Sequence, residues 1–133
     1  MPARSEQHVA MHWEIEAETF TVVVSGRGII DRAFIEQYLL AMTATGTRGY
    51  RKLFDLTHAA FEIEGDDVSA VARALTQFGA GGRAGPVAMV VGMSPLSLDM
   101  AVLLKQNVEP SRPFRVFTRL DEARQWLRLT PVR

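Results

Sequence analysis

Strand-like and helix-like segments alternate along almost the whole of this chain, in the order strand, strand, helix, strand, helix, strand, helix, strand, helix. Because parallel strands need a crossover between them, this alternation is typical of an α/β domain with a mostly parallel sheet. A chain of 133 residues is long enough for one such domain. We expect residues 1–10 to be a flexible leader and residues 11–133 to form the domain.

The boundaries of the segments follow from apolar periodicity and from residues that begin or end helices. Strands 12–17 and 19–26 are expected to pair as an antiparallel hairpin, with these side chains facing the core: Trp13, Ile15, Phe20, Val22 and Val24. We expect a turn at 26–28, where two glycines flank Arg27, and a helix capped by Asp31 that runs to 44. The remaining predicted segments are strand 51–56, loop 57–65, helix 66–79, strand 86–93, helix 95–106, strand 114–117 and a helix from 121.

Three stretches stand in an order and spacing that resembles the STAS domain, the fold of SpoIIAA-type anti-sigma factor antagonists. They are 26–31 before the first helix, the strand 52–56, and the strand 114–117 followed by 122–127. More narrowly, the chain is similar to SpoIIAA-like (STAS/SEC14-type) bacterial domains over residues 11–129. The resemblance implies a mostly parallel five-stranded sheet with an antiparallel N-terminal edge strand and four helices. The alternative is another small flavodoxin-like sheet with a different strand order.

The antagonists of this family carry a phosphorylatable serine at the start of the helix that follows the strand matching 52–56. Here Gly65 and Asp66 occupy that place, and the nearest serine, Ser69, lies one turn inside the predicted helix. We therefore expect no kinase-driven switch. Asp66 and Asp67 have two interpretations: they are a permanent mimic of a phosphate, or they only favour the helix dipole by about 0.3–1 kcal/mol.

Composition excludes several classes of function. The chain has no cysteine, so it has neither disulfides nor cysteine-ligated zinc. Fifteen basic residues balance fifteen acidic ones, which gives no general attraction to nucleic acid. The longest apolar stretches, 86–93 and 96–104, are too short to cross a bilayer as helices. Because residues 1–9 also lack the apolar core of a signal peptide, we expect a cytoplasmic protein with no integral membrane segment.

No motif in the sequence carries catalytic, cofactor or metal-binding chemistry. His58 follows a predicted strand, where α/β proteins bind ligands, and could pair with neighbouring carboxylates. It has no second histidine at ligand spacing and no nucleophile beside it, so an ordinary loop histidine is the favoured interpretation. We assign no catalytic residue, no cofactor and no metal, and predict that the protein is not an enzyme.

The most informative functional candidate is the predicted helix that contains residues 96–104. Leu96, Met100, Leu103 and Leu104 are expected to face the core, while Leu98, Ala101 and Val102 extend the apolar surface beyond one face. A helix with a wide apolar surface needs a second cover. The interaction or ligand candidates are Leu96, Leu98, Met100, Val102, His58, Asp66 and Asp67.

Two functions follow from these features. The first is a non-catalytic regulatory or protein-interaction module that binds a protein partner or itself, for example as a homodimer. The alternative, which the SEC14-type resemblance implies, is a protein that binds a lipid or another apolar small molecule in a pocket between helices 66–79 and 95–107.

Overall fold

The computed structural model describes residues 10–63, 65–80, 84–106 and 112–131. In this part of the chain, five strands form one sheet in the order β1-β2-β3-β4-β5. The strands are Ala10–Glu16 (β1), Thr21–Ile30 (β2), Arg51–Phe61 (β3), Val87–Val91 (β4) and Phe114–Phe117 (β5). The α-helices are Arg32–Thr45 (α1), Asp66–Ala80 (α2), Pro95–Gln106 (α3) and Leu120–Leu129 (α4). The predicted leader lies outside the described residues except for Ala10, which begins β1.

The sheet is mixed, as the sequence predicts. β1 pairs antiparallel with β2, and the later neighbours all pair parallel. Alternate residues of β4 show the two layers: Met89 and Val91 pack with α1, α2 and α3, whereas Ala88 and Val90 pack with α4. All five residues of β4 are buried, as expected for an interior parallel strand covered on both faces. The predicted α/β fold class is confirmed.

Two strands extend further than the sequence indicates. The predicted loop at 57–65 is wrong in its first half, because 57–61 continues β3, and 58–61 pairs with 27–30 of β2. The predicted turn at 26–28 is also wrong, because Gly26 and Gly28 lie inside β2. The register shifts between the Ser25 and Arg27 pairs, and Gly28 has a φ of 93°. The glycines therefore mark a β-bulge rather than a turn.

Local capping fixes where the helices begin. The Asp31 carboxylate accepts a hydrogen bond from the Phe34 backbone N–H at 2.9 Å, which confirms the predicted cap of α1. Ser94 caps α3 in the same way, since its hydroxyl oxygen accepts from the Ser97 N–H at 3.1 Å. These caps place both helix starts directly after parallel strands. No helix of the described residues is long and apolar enough to cross a membrane.

The opening hairpin is only partly buried. Val22 and Val24 are fully buried and Trp13 packs against them, as predicted. The prediction for Ile15 and Phe20 is wrong, because their side chains are 45% and 53% exposed. Ile15 lies on the edge strand β1, where the core cover ends, and Phe20 has a left-handed backbone with φ of 52° just after the turn Ala17–Thr19.

Candidate functional site

Three parallel strands of the sheet end where three helices begin, and this edge collects several of the predicted site residues. β2, β3 and β4 end at this edge, and α1, α2 and α3 start there. We call it the carboxyl edge and define it by Arg32, His58, Asp66, Asp67 and Met93. Open α/β sheets bind their ligands at the carboxyl ends of their strands.

The first turn of α2 is acidic and is tied to α1. Asp67 Oδ1 lies 3.4 Å from the Arg32 Nη1, and Arg32 Nε donates to the Glu36 carboxylate at 3.0 Å. Asp66 is exposed, and Gly65 before it has a left-handed φ of 61°. A glycine favours that backbone because it has no Cβ. Ser69, the nearest serine, is exposed one turn further along α2.

His58 does not join a cluster of ligands or catalytic groups. It lies on the extension of β3 opposite Arg27, and its side chain is exposed. Asp55, the nearest carboxylate before it in the strand, instead accepts hydrogen bonds from the Thr57 hydroxyl at 2.7 Å and from the Thr57 N–H at 3.3 Å. Across the described ranges, no group of three or more histidine, cysteine, aspartate or glutamate side chains is placed to hold a metal ion.

The candidates on α3 do not share one environment. Leu98 and Met100 pack against the core, whereas Val102 is 48% exposed. The expectation that Ala101 widens the exposed surface is wrong, because it is fully buried. Ala101 therefore lies against the core, and Val102 next to it in the helix faces solvent. The Leu96 side chain lies outside the described residues.

A cavity of about 80 Å³ lies between the sheet and the three helices on one face. α1 contributes much of its wall, and Phe78 of α2 and Leu104 of α3 close it. The described residues that line it are apolar except for Tyr38 and Arg112. An engineered apolar cavity of about 150 Å³ holds benzene, so this one has room for a smaller apolar group.

A group of cationic side chains lies at the opposite end of the strands, close to this cavity. Lys52 is fully buried near the start of β3, and its ammonium donates to the carbonyl oxygens of Thr47, Arg48 and Tyr50 at 2.7–2.9 Å. Three acceptors match the three donors of a charged lysine. Burial, then the charges of Arg112 and Arg48, lower the pKa of Lys52 to about 7.

The two arginines are held by backbone carbonyl groups. Arg112 Nε donates to the Gly85 carbonyl oxygen at 2.6 Å, which places Arg112 between the starts of β4 and β5. Arg48 donates to the Phe78 carbonyl oxygen, and its guanidinium carbon lies 4.0 Å from the centre of the Phe78 ring. The result is a cationic end, anchored to the backbone, at which Arg112 lines the cavity and Lys52 and Arg48 lie behind it.

One sequence feature, the position of Lys52 in β3, indicates this cationic end but was not among the predicted site residues. Residues of a strand alternate between faces, so Lys52 shares a face with Phe54 and Leu56. That alternation alone puts a lysine towards the core. Arg48 and Arg112 lie outside the strands, 4 and 60 residues away in the chain, so only the tertiary fold brings them near Lys52.

No protein-family model and no curated protein matches this sequence. Solved structures do match the fold. An anti-sigma factor antagonist from Mycobacterium paratuberculosis aligns over 92% of this chain and 96% of its own, with 19% identity and a TM-score of 0.59. A second match is an uncharacterized protein of the DUF3478 family from Shewanella loihica PV-4 with a SpoIIAA-like fold. It aligns over 90% of this chain and 93% of its own, with 18% identity and a TM-score of 0.54. Together with the strand order and the single antiparallel edge strand, these matches establish that the chain has the SpoIIAA-like (STAS) fold.

Proposed function

We propose that this domain is a non-catalytic regulatory module that acts by binding another protein, without a phosphorylation switch at the start of α2. The observation that carries this proposal is the fold likeness to an anti-sigma factor antagonist over more than nine tenths of both chains. A regulator of this kind needs an accessible surface rather than a reaction centre. The carboxyl edge supplies such a surface.

The carboxyl edge combines an exposed apolar side chain with fixed charges. Met93, between β4 and α3, is 78% exposed, and methionine adapts its shape to varied apolar partners. The Arg32–Asp67 ion pair and the exposed Asp66 lie at the same edge. Interfaces commonly place apolar anchors within a polar rim. We therefore propose that a protein partner binds here.

The start of α2 supports a constant rather than a switched interaction. Gly65, Asp66 and Asp67 carry no hydroxyl, and the two carboxylates give this helix end a permanent negative charge. A phosphate added to a serine there would be stabilised by the helix N-terminus. The aspartates hold negative charge in that position without a kinase.

Affinity capture with matched variants tests this proposal. The full chain is used as bait in parallel with Met93→Asp and with Leu129→Asp, a control at an equally exposed apolar residue (77%) on α4, away from the carboxyl edge. We expect a protein that is retained by the wild type and by Leu129→Asp but lost with Met93→Asp, and that binds directly when both proteins are purified. Partners that respond equally to both variants would contradict this assignment of the surface.

Self-association is the other form of protein binding that the proposal includes. Native mass spectrometry of the freshly purified chain separates a monomer from a dimer directly. A dimer that Met93→Asp or Val102→Asp dissociates would identify the partner as a second copy. A monomer in every sample would leave a different protein as the partner.

A second candidate function, binding of an apolar ligand, is favoured by the cavity beside Phe78 and Leu104. Its walls are almost wholly apolar, but its volume of about 80 Å³ is smaller than a lipid. The ligand is therefore a small molecule, or only the end of a longer chain enters. Extra mass bound to the chain in the same native mass spectrum would support this function.

A further inference from the structure

The cavity holds one polar group whose presence its apolar walls do not explain. Tyr38 on α1 is 8% exposed and lines the cavity, and its ring packs edge-on against Phe54 with ring centres 5.0 Å apart. No hydrogen bond joins the Tyr38 hydroxyl to another described residue. A phenylalanine would pack the same space without burying a hydroxyl, and buried polar groups are normally hydrogen-bonded.

The hydroxyl is not sealed inside the core. Among the described residues, no side-chain nitrogen or oxygen atom that is shut off from solvent lacks a hydrogen-bond partner. The Tyr38 hydroxyl is therefore within reach of a water-sized group, and Tyr38 is one of the residues that line the cavity. Burial raises the pKa of Tyr38, so at neutral pH the group is a phenol that can donate a hydrogen bond.

The electrostatic environment of this hydroxyl is positive. Arg112 lines the same cavity and is close enough to act on Tyr38 electrostatically. Arg48, and Lys52 while it is protonated, add positive charge near Arg112, and neither forms an ion pair with a described carboxylate. A hydrogen-bond donor beside positive charge, at the end of an apolar cavity, is complementary to a molecule with an apolar chain and an anionic head.

We propose that this cavity binds a small monocarboxylic acid, whose apolar chain lies against Phe54 and Leu104 and whose carboxylate accepts a hydrogen bond from the Tyr38 hydroxyl beside the Arg112 guanidinium. The proposal rests on the second candidate function, since it requires that the cavity accept a ligand, and it adds the chemical class of that ligand. It is independent of the protein partner at the carboxyl edge.

The volume of the cavity sets the length of the chain. A cavity of about 150 Å³ holds the six carbons of benzene, so 80 Å³ holds a chain of about three carbons. Butanoate is therefore the probe: its three carbons beyond the carboxylate fill this volume, and its carboxylate lies outside it, at the end of the cavity that Arg112 lines. Butan-1-ol has the same chain and an uncharged head that can still accept a hydrogen bond, so it measures binding without the negative charge.

The experiment is a titration of the full chain with each probe at pH 7, followed by methyl NMR. Shifts of the Leu39, Leu104 and Met89 methyl signals, which report on the cavity walls, locate the binding. We expect butanoate to bind about tenfold more tightly than butan-1-ol, since a hydrogen bond to a charged group exceeds one tenfold step in affinity. Tyr38→Phe should remove about that factor for butanoate and weaken butan-1-ol by less, because a hydrogen bond to an uncharged head contributes less. Tyr50→Phe, which removes a hydroxyl outside the cavity, should change neither affinity.

Each alternative outcome has a distinct meaning. Equal binding of the two probes at the cavity, or butanoate binding that Tyr38→Phe does not weaken, would overturn the proposed acid specificity and leave the apolar-ligand function intact. Absence of cavity shifts with both probes would overturn the ligand function together with the proposal. An unaltered methyl spectrum of ligand-free Tyr38→Phe establishes that this variant folds. Arg112→Gln gives a second test, because it removes a positive charge and should weaken butanoate without weakening butan-1-ol. Unchanged butanoate binding would overturn the role of Arg112.

Discussion

Asp67 in the first turn of α2 forms an ion pair with Arg32 in the first turn of α1, with 3.4 Å between Oδ1 and Nη1. The two residues are 35 positions apart in the chain, and their pair joins the starts of the two helices. It is half exposed, so salt should screen much of its attraction. Its neighbour Asp66 shares the helix end but not the partner.

The two aspartates therefore make a matched pair for mutation. Asp66→Asn removes only the favourable interaction with the helix dipole and should lower the free energy of unfolding by about 0.3–1 kcal/mol. Asp67→Asn should lower the free energy of unfolding further, because the charge attraction to Arg32 is lost as well. Urea unfolding at low salt and in 1 M NaCl measures the free energy of unfolding of both variants. A difference between the variants that persists unchanged in 1 M NaCl would contradict an electrostatic origin.

Lys52 should make the stability of the domain depend on pH. An unfolded lysine keeps its proton to about pH 10.4, whereas folding lowers the pKa of Lys52 to about 7. Between these values the unfolded chain binds more protons, so the free energy of unfolding should rise with pH, by at most about 1.4 kcal/mol per unit for one proton. Below pH 7 both states are protonated and this slope should disappear.

Lys52→Met is the variant that isolates this effect. Methionine leaves the three carbonyl oxygens without their donor, which lowers stability at every pH, but it has no proton to release. Urea unfolding curves of the wild type and of Lys52→Met, recorded from pH 6 to pH 10, give the difference between their free energies of unfolding. A constant difference over this range would show that Lys52 keeps its proton in the folded protein.

Gly85 occupies a position where no side chain fits. A Cβ there would overlap the carbonyl oxygens of Tyr50 and Gly49, and the Gly85 N–H donates to the Arg48 carbonyl at 2.9 Å. Gly85→Ala should therefore destabilise the domain by about 1–3 kcal/mol, since the backbone at the start of β4 must move. Gly49→Ala is the control, because a Cβ at Gly49 meets nothing within 4 Å. The midpoint temperature of thermal unfolding should fall only for Gly85→Ala. Equal falls for both variants would refute the steric explanation.

Leu98 and Val102 should respond differently to the same substitution. Leu98 packs against the core, so Leu98→Asp buries a charge and should lower the free energy of unfolding by about 2–5 kcal/mol. Val102 is 48% exposed, and Val102→Asp should change the free energy of unfolding by no more than about 0.5 kcal/mol. Circular dichroism during urea unfolding checks both. Any loss of binding by Leu98→Asp must therefore be judged against its loss of stability.

The alternation of strands and helices predicted the fold because the spacing of apolar residues distinguishes a strand from a helix within a few residues. The extension of β3 past Leu56 was not predictable in this way. Residues 57–60 are mostly exposed, and they form a strand only because 27–30 of β2 provides hydrogen-bonding partners about 30 residues earlier in the chain. The sequence alone predicts a turn at Gly26 and Gly28. Only the hydrogen-bonding register between β2 and β3 shows that these glycines accommodate a bulge.

The site was less predictable than the fold. The apolar residues of α3 fit several helical faces equally well, and the buried Ala101 shows which face the sheet selected. The cavity and its Tyr38 hydroxyl are products of packing between α1, α2, α3 and the sheet, so no local pattern encodes them. Asp66 and Asp67 were placed correctly at a helix start because acidic residues favour that position locally.

The edge strand β1 has a consequence for how copies of this chain meet. His12 and Glu14 are exposed along it and lie 3.1 Å apart, and Glu16 follows at its end. Charged side chains on an outer strand oppose the addition of a further strand, and the other outer strand, β5, is only four residues long. The sheet is thus poorly suited to template cross-β aggregation, even when the protein is concentrated.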